Sequence, residues 1–307
     1  MPAHLPTILA TSGGIKRGSR TEFAFAPLVL HAIELAGVDA RRPRLCHVGT
    51  AGGDQRWWNG LWDEAGHAAG IDVVNLNLFP MPSVEDVEGF LLDQDVIWVG
   101  GGSVANLLAI WRLHGLDRTL AEVWRAGVVL AGVSAGSVCW HVGGTTDSFG
   151  PDLRPVTNGL GILPYSNGVH YDSEPQRRPL FQRLVADGVL PDGYASDDGV
   201  GLLYRGTDFV EAVTEIRGKG AYLVHREGDQ ARRSESSPGA FRGLLESSRR
   251  MKANGLTMRL RRQSQLACAS CRESHPSCGS PLAKLCGPRA FGNSSSLVSW
   301  RWPRWAS

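Results

Sequence analysis

Residues 127–136 read Gly127-Val128-Val129-Leu130-Ala131-Gly132-Val133-Ser134-Ala135-Gly136. A continuous apolar run closed by small residues is the pattern of a strand buried on both faces, as in a parallel sheet covered by helices. Its last five residues fit G-x-S-x-G. After a buried strand and before a helix, this motif is a strained turn that exposes a serine hydroxyl. The small residues Gly132, Ala135 and Gly136 let the turn close without Cβ clashes. A helix is expected over residues 134–141. Its N-terminus would supply unpaired N–H groups and a partial positive charge beside Ser134. A plain serine N-cap in a Gly-rich turn uses the same letters. The flanking strand and helix favour a nucleophile.

Working outward from this stretch, strands are predicted at 7–12, 44–49, 72–79, 95–99 and 127–133. Helical periodicity falls at 22–37, 55–69, 84–92, 104–113 and 117–126. Strands alternating with helices imply an α/β fold, a doubly wound and mostly parallel sheet. Sites on such sheets lie at the carboxyl ends of the strands. From about residue 150 the pattern changes to short strands near 167–171, 199–204, 209–215 and 219–225 around one helix, 175–187. The last three strands read as an antiparallel extension that closes the domain.

A serine nucleophile needs oxyanion donors and a base. One donor is expected at the amide of Ala135. The other is expected in Gly100-Gly101-Gly102-Ser103, at a neighbouring strand end, where glycines let the backbone approach a substrate. The same glycines also suit a phosphate-binding or plain tight turn. Among the histidines, His141 ends the elbow helix, His225 lies near the end of the regular pattern, and His275 lies in the C-terminal segment. His170, in Asn167-Gly168-Val169-His170-Tyr171-Asp172, sits at an expected strand end downstream of the serine and is the candidate base.

Composition bounds the reading. The 307 residues are 42% hydrophobic and 20% charged, enough to bury a core, and the six cysteines make no disulfide scaffold. No run approaches the roughly 18 apolar residues of a membrane helix, and the N-terminus carries no secretory pattern. A cytoplasmic chain without membrane contact is expected. The net charge of +2 conceals two halves: residues 231–307 hold 14 basic and 3 acidic residues, leaving the first 230 with a net charge of −9. The body is therefore placed at 1–228. Residues 229–307 are placed in a basic Ser/Arg/Gly/Pro-rich tail expected to be poorly ordered.

Cys268, Cys271, Cys278, Cys286 and His275 offer zinc-ligand chemistry, but only the first spacing fits a structural site. They are read as incidental. Trp300, Trp302 and Trp305 among arginines allow at best non-specific nucleic-acid contact. A shifted reading frame in a GC-rich gene would produce the same tail composition. A body of this type calls for a further strand after residue 225.

The motifs G-G-G-S-x-x-N-L-L, G-V-S-A-G-S and G-V-H-Y-D-S, in this order, resemble the peptidase E (aspartyl dipeptidase) family, which includes cyanophycinases. The resemblance covers residues 6 to about 228. It implies a fold similar to class I glutamine amidotransferases, a serine nucleophile, and cleavage after an N-terminal aspartyl residue without metal or cofactor. Carried over by position, Ser134 matches the nucleophile, Gly102 and Ala135 the oxyanion donors, and His170 the base. Asp198 aligns best with the third triad member, with Asp197 as the alternative. Asp147 in Thr145-Thr146-Asp147 matches a further family acid with one residue fewer. Arg177 aligns with a substrate arginine, and Arg178 lies beside it. A guanidinium suits an aspartyl carboxylate because it can bind it bidentately.

The implied partner is a small peptide with N-terminal Asp, acted on by a monomer or homodimer with no specific nucleic acid. Cleavage of β-Asp-Arg units is the nearest rival. An α/β-hydrolase esterase expects its acid between the serine and the histidine, where Asp147 lies. A non-catalytic scaffold with a nucleic-acid-binding tail is the remaining reading.

Overall fold

Every residue of the first strand, β1 (Thr7–Thr11), is buried, which requires cover on both faces of its sheet. A short ribbon of β2 (Ile15–Lys16) and β3 (Ala24–Phe25) leads to helix α1 (Pro27–Leu35). Then come β4 (Arg44–Val48), α2 (Arg56–Ala69), β5 (Asp72–Leu76), α3 (Val87–Leu92), β6 (Val96–Val99), α4 (Val104–His114), α5 (Leu116–Arg125) and β7 (Val129–Val133). Helix α6 (Ala135–Val138) follows, with β8 (His141–Thr146), β9 (Arg154–Val156), β10 (Leu163–Gly168) and α7 (Arg177–Ala186). The remaining strands are β11 (Gly193–Ser196), β12 (Val200–Arg205), β13 (Asp208–Thr214), β14 (Ala221–Glu227), β15 (Gln230–Glu235) and β16 (Phe241–Gly243). The computed structural model describes residues 5–228, 230–235 and 241–243, all within the unit Met1–Asn254.

The larger sheet has the order β16-β13-β12-β1-β7-β6-β4-β5. The five strands from β1 to β5 in this order run parallel. β12 joins β1 antiparallel and forms a hairpin with β13. Alternate strand residues enter different clusters. Leu9, Trp98, Val129 and Ala131 pack with Leu28, Val29 and Trp62 of α1 and α2. Ile8, Ala10, Val99 and Leu130 pack with Leu107, Trp111 and Leu120 of α4 and α5. Each buried Val, Leu or Ile among them contributes about 1.5–3 kcal/mol of apolar transfer. The α/β class and the doubly wound, mostly parallel sheet expected from the sequence are present.

The second half departs from the predicted layout. The closing strands are split between two sheets: β12 and β13 extend the larger one. β14 joins a six-stranded sheet in the order β15-β14-β11-β10-β8-β9. The elbow helix spans Ala135–Val138 only, because His141–Thr146 is already strand. That strand was invisible as a pattern: His141-Val142-Gly143-Gly144-Thr145-Thr146 has no apolar alternation. It forms because its neighbours approach closely. A Cβ on Gly143 would stand 2.1 Å from Val156 O, and one on Gly144 2.3 Å from Asn167 O. β15 and β16, beyond the boundary expected at 228, pair with β14 and β13. The cysteines, His275 and tryptophans singled out in the tail lie outside the described residues. No described helix is long and apolar enough to cross a membrane.

His141 is fully buried, with Nδ1 2.9 Å from Ser137 O and Nε2 3.3 Å from the Tyr204 hydroxyl. Burial pushes its pKa down to about 4, although the Ser137 carbonyl opposes the shift. The folded state therefore binds the proton less well than the unfolded chain. This contribution to stability is complete above the unfolded value of 6.5 and is lost as the pH falls toward 4. Urea unfolding midpoints should fall over that window. The accompanying loss of unfolding free energy should shrink in His141→Gln by an amount on the order of 3 kcal/mol. Parallel pH curves for the two proteins would refute this assignment.

Candidate functional site

The site begins with the backbone. Ser134 has φ 57° and ψ −113°, an unusual conformation for a residue with a side chain. Its amide donates to Thr11 O at 3.1 Å, and its carbonyl accepts from Ser137 N and Val138 N, each at 2.9 Å. These bonds hold the turn against a strain of about 1–3 kcal/mol. A Cβ on Gly132 would stand 2.4 Å from Gly136 O, and one on Gly136 2.2 Å from Val99 O. Only glycine fits these positions. The side chain of Ser134 is left half-buried.

The loop after β6 lies against this turn. A Cβ on Gly101 would meet Ser134 Cβ at 3.3 Å and Oγ at 3.9 Å. Gly102 has φ 136°, and a Cβ there would stand 2.3 Å from Ala51 O. Ser103 ends the loop as the N-cap of α4, accepting from Asn106 N at 3.2 Å. The glycine loop is thus pressed between the turn at Thr50–Gly52 and the serine.

His170 also has a positive φ, 52°. Its Nδ1 lies 2.6 Å from Asp198 Oδ1, and its amide donates to Ser12 Oγ at 3.2 Å. Burial alone would raise the Asp198 pKa. The hydrogen bond and charge of His170, assisted by Ser173 and Lys219, outweigh it and hold the carboxyl below its ordinary value. Asp198 N donates to Asp172 Oδ1 at 2.9 Å, and Asp172 Oδ2 accepts from Lys219 Nζ. Asp197, the alternative acid, is engaged elsewhere. Its Oδ2 accepts from Gly220 N at 3.0 Å and from the Tyr222 hydroxyl at 3.1 Å, and burial raises its pKa.

A small pocket brings together Gly102, Ser134, Ala135, Asp147, Val169 and Arg177. Asp147 is exposed at this pocket. Arg177 is 3% exposed, with Nε bonded to Glu174 Oε2 and Nη1 to Thr145 O, both at 2.7 Å. Arg178 is turned to the Tyr171 ring, 5.0 Å from its centroid, and does not line the pocket. His141 is spent in the core contacts above, and His225 lies on β14. The hydroxyl of Ser134 and the ring of His170 are not hydrogen-bonded to each other in this structure. Ser12, Asp172 and Lys219 were not anticipated. The available signal for Ser12 was its position at the carboxyl end of a buried strand, just before Gly13-Gly14.

Fold and site define a serine peptidase of α/β architecture. The profile of Peptidase family S51 matches residues 8–212, and the chain belongs to that family. It is 40% identical to the uncharacterized peptidase YgaJ of Bacillus subtilis (strain 168) over 183 residues, 60% of this chain and 78% of that protein. Peptidase E of Shewanella denitrificans is 27% identical over 165 residues, 51% of this chain and 68% of that protein. The crystal structure of a peptidase from an acI-B1 Actinobacterium has the same fold. It aligns with a TM-score of 0.56 at 17% identity, covering 76% of this chain and 96% of that one.

The glycine contacts yield a direct expectation. Gly136→Ala drives a methyl group into Val99 O, so unfolding stability should drop by about 1–3 kcal/mol. Denaturant midpoints check this. A midpoint equal to wild type would show that the turn can relax and is not held by this contact.

Proposed function

We propose that Ser134, His170 and Asp198 form the catalytic triad of an aspartyl dipeptidase, which cleaves the bond after an N-terminal aspartyl residue. The observation that carries the substrate class is the charge content of the Ser134 pocket: one buried guanidinium, Arg177, and one exposed carboxylate, Asp147. An N-terminal aspartyl residue presents the complementary pair, a side-chain carboxylate and a free ammonium group. The resemblance to peptidase E on the three motifs supports the same reading.

The cycle is acyl transfer. Nε and Nη1 of Arg177 are held by Glu174 and Thr145, which leaves its Nη2 donors for the substrate carboxylate. Asp147 accepts from the substrate ammonium. Asp198 occupies His170 Nδ1, so Nε2 is the nitrogen that takes the Ser134 proton. The Ser134–His170 hydrogen bond forms as substrate fills the pocket, as catalytic contacts commonly tighten on binding. Oγ attacks the scissile carbonyl while the amides of Gly102 and Ala135 stabilise the oxyanion. His170 passes the proton to the leaving amine. The same ring then deprotonates a water, which releases aspartate and restores Ser134. Asp198 stays ionised throughout and stabilises the imidazolium.

Ser134→Ala should retain its circular dichroism spectrum and lose hydrolysis of Asp-Leu. Arg177→Lys should reduce kcat/KM for Asp-Leu by about 10- to 100-fold, since a single ammonium cannot keep the bonds to Glu174 and Thr145 and also present a donor to the substrate. Wild-type turnover by Ser134→Ala would refute the nucleophile. Faster cleavage of β-Asp-Arg than of Asp-Leu would refute the substrate.

A further inference from the structure

The nucleophile and the base arise from different sheets: Ser134 follows β7 of the larger one, His170 follows β10 of the smaller one. One point of the chain touches both. Thr11 O accepts the amide of Ser134, and the next residue, Ser12, accepts the amide of His170 on its Oγ. Ser12 is 3% exposed and fixed on all sides. Its amide donates to Val200 O at 2.8 Å and its carbonyl accepts from Gly199 N at 2.9 Å. Its Oγ lies 2.8 Å from Ser196 Oγ and 3.3 Å from Ser196 O. Gly199 directly follows Asp198, so the strand that anchors the serine also anchors the acid's turn.

We infer that Ser12 is a positioning residue, whose hydroxyl sets the backbone angle of His170 and thereby the approach of its ring to Ser134. The inference rests on the triad proposed above. Its physical basis is the φ of 52° at His170. A residue with a side chain leaves that region unless it is held. Relaxation to negative φ would rotate Cβ and carry the ring away from both Ser134 and Asp198. Asp198 grips the ring at Nδ1, Glu174 N donates to His170 O at 3.3 Å and Tyr171 N to Ser196 O at 3.1 Å, but none of these holds the His170 amide itself. The Ser12 hydroxyl ties the backbone of His170 to the strand that also fixes Ser134. Its own proton goes to Ser196, leaving a lone pair for the His170 amide.

The test compares intact wild-type protein with Ser12→Ala and Ser196→Ala. Two readouts are the rate of fluorophosphonate labelling at Ser134 and the downfield proton resonance of His170 Nδ1–H. Neither requires the natural substrate. Ser12→Ala should label about 100-fold more slowly, the scale of a roughly 1 Å misplacement, and its resonance should shift or broaden. Ser196→Ala keeps the Ser196 carbonyl as acceptor and should stay within threefold of wild type. If Ser12→Ala does not fold, Ser12→Cys, a weaker acceptor of similar shape, is read in the same way. Labelling of the folded Ser12 variant within threefold of wild type overturns the inference, as does an equal loss in Ser196→Ala. Wild-type protein that takes no label at Ser134 overturns the triad itself, and the inference with it.

Discussion

The site depends on backbones approaching more closely than side chains allow. Val99 O, Gly132 and Gly136 meet where the strand ends, the turn begins and the helix starts. A single Cβ at either glycine would push the elbow off β6. With none, Ser134 can be forced into its positive-φ conformation and its hydroxyl held half-exposed. The glycine loop follows the same rule: Gly101 stands against Ser134, and Gly102 against Ala51 O. Strain and close packing are two aspects of one constraint here. The turn persists because its amide and carbonyl are both tied, to Thr11 and to α6.

The rest of the fold delivers charge to that turn. The parallel strands carry apolar residues on both faces and place their carboxyl ends together. The second sheet adds His170 from the end of β10 and Asp198 from the turn before β12. Arg177 comes from the start of α7, next to β8 through Thr145 O. Acids and bases then meet in a small space: Arg177 pairs with Glu174 and Lys219 with Asp172, and His170 is hydrogen-bonded to Asp198. The Lys219 pair lies one residue's reach behind the acid. Through Asp172 it holds the amide of Asp198, and its charge helps keep that carboxyl ionised.

The larger sheet was legible because its strands are uniform apolar runs and its helices have clear periodicity. The elbow was legible because four small residues, Gly132, Ser134, Ala135 and Gly136, fall where such a strand gives way to a helix. His170 and Asp198 were legible only from their order in the chain and the family motifs. Their contact is tertiary, and no local pattern encodes it. β8 was missed because close backbone packing, rather than side-chain alternation, makes it a strand. The short length of α6 was missed for the same reason. Ser12 was missed because its partner lies 158 positions away, and a serine after a strand looks like any turn residue. Of the two arginines, only position in the family motif separated Arg177, which lines the pocket, from Arg178, which lies on Tyr171.

The central claim is that the strained hydroxyl at the end of β7 is the reacting group. It is tested most directly by treating the intact protein with a fluorophosphonate and locating the adduct by peptide mass spectrometry. The account predicts one modification, on the peptide containing Ser134. Modification of a different serine, or none under conditions that label an active serine peptidase, would contradict it.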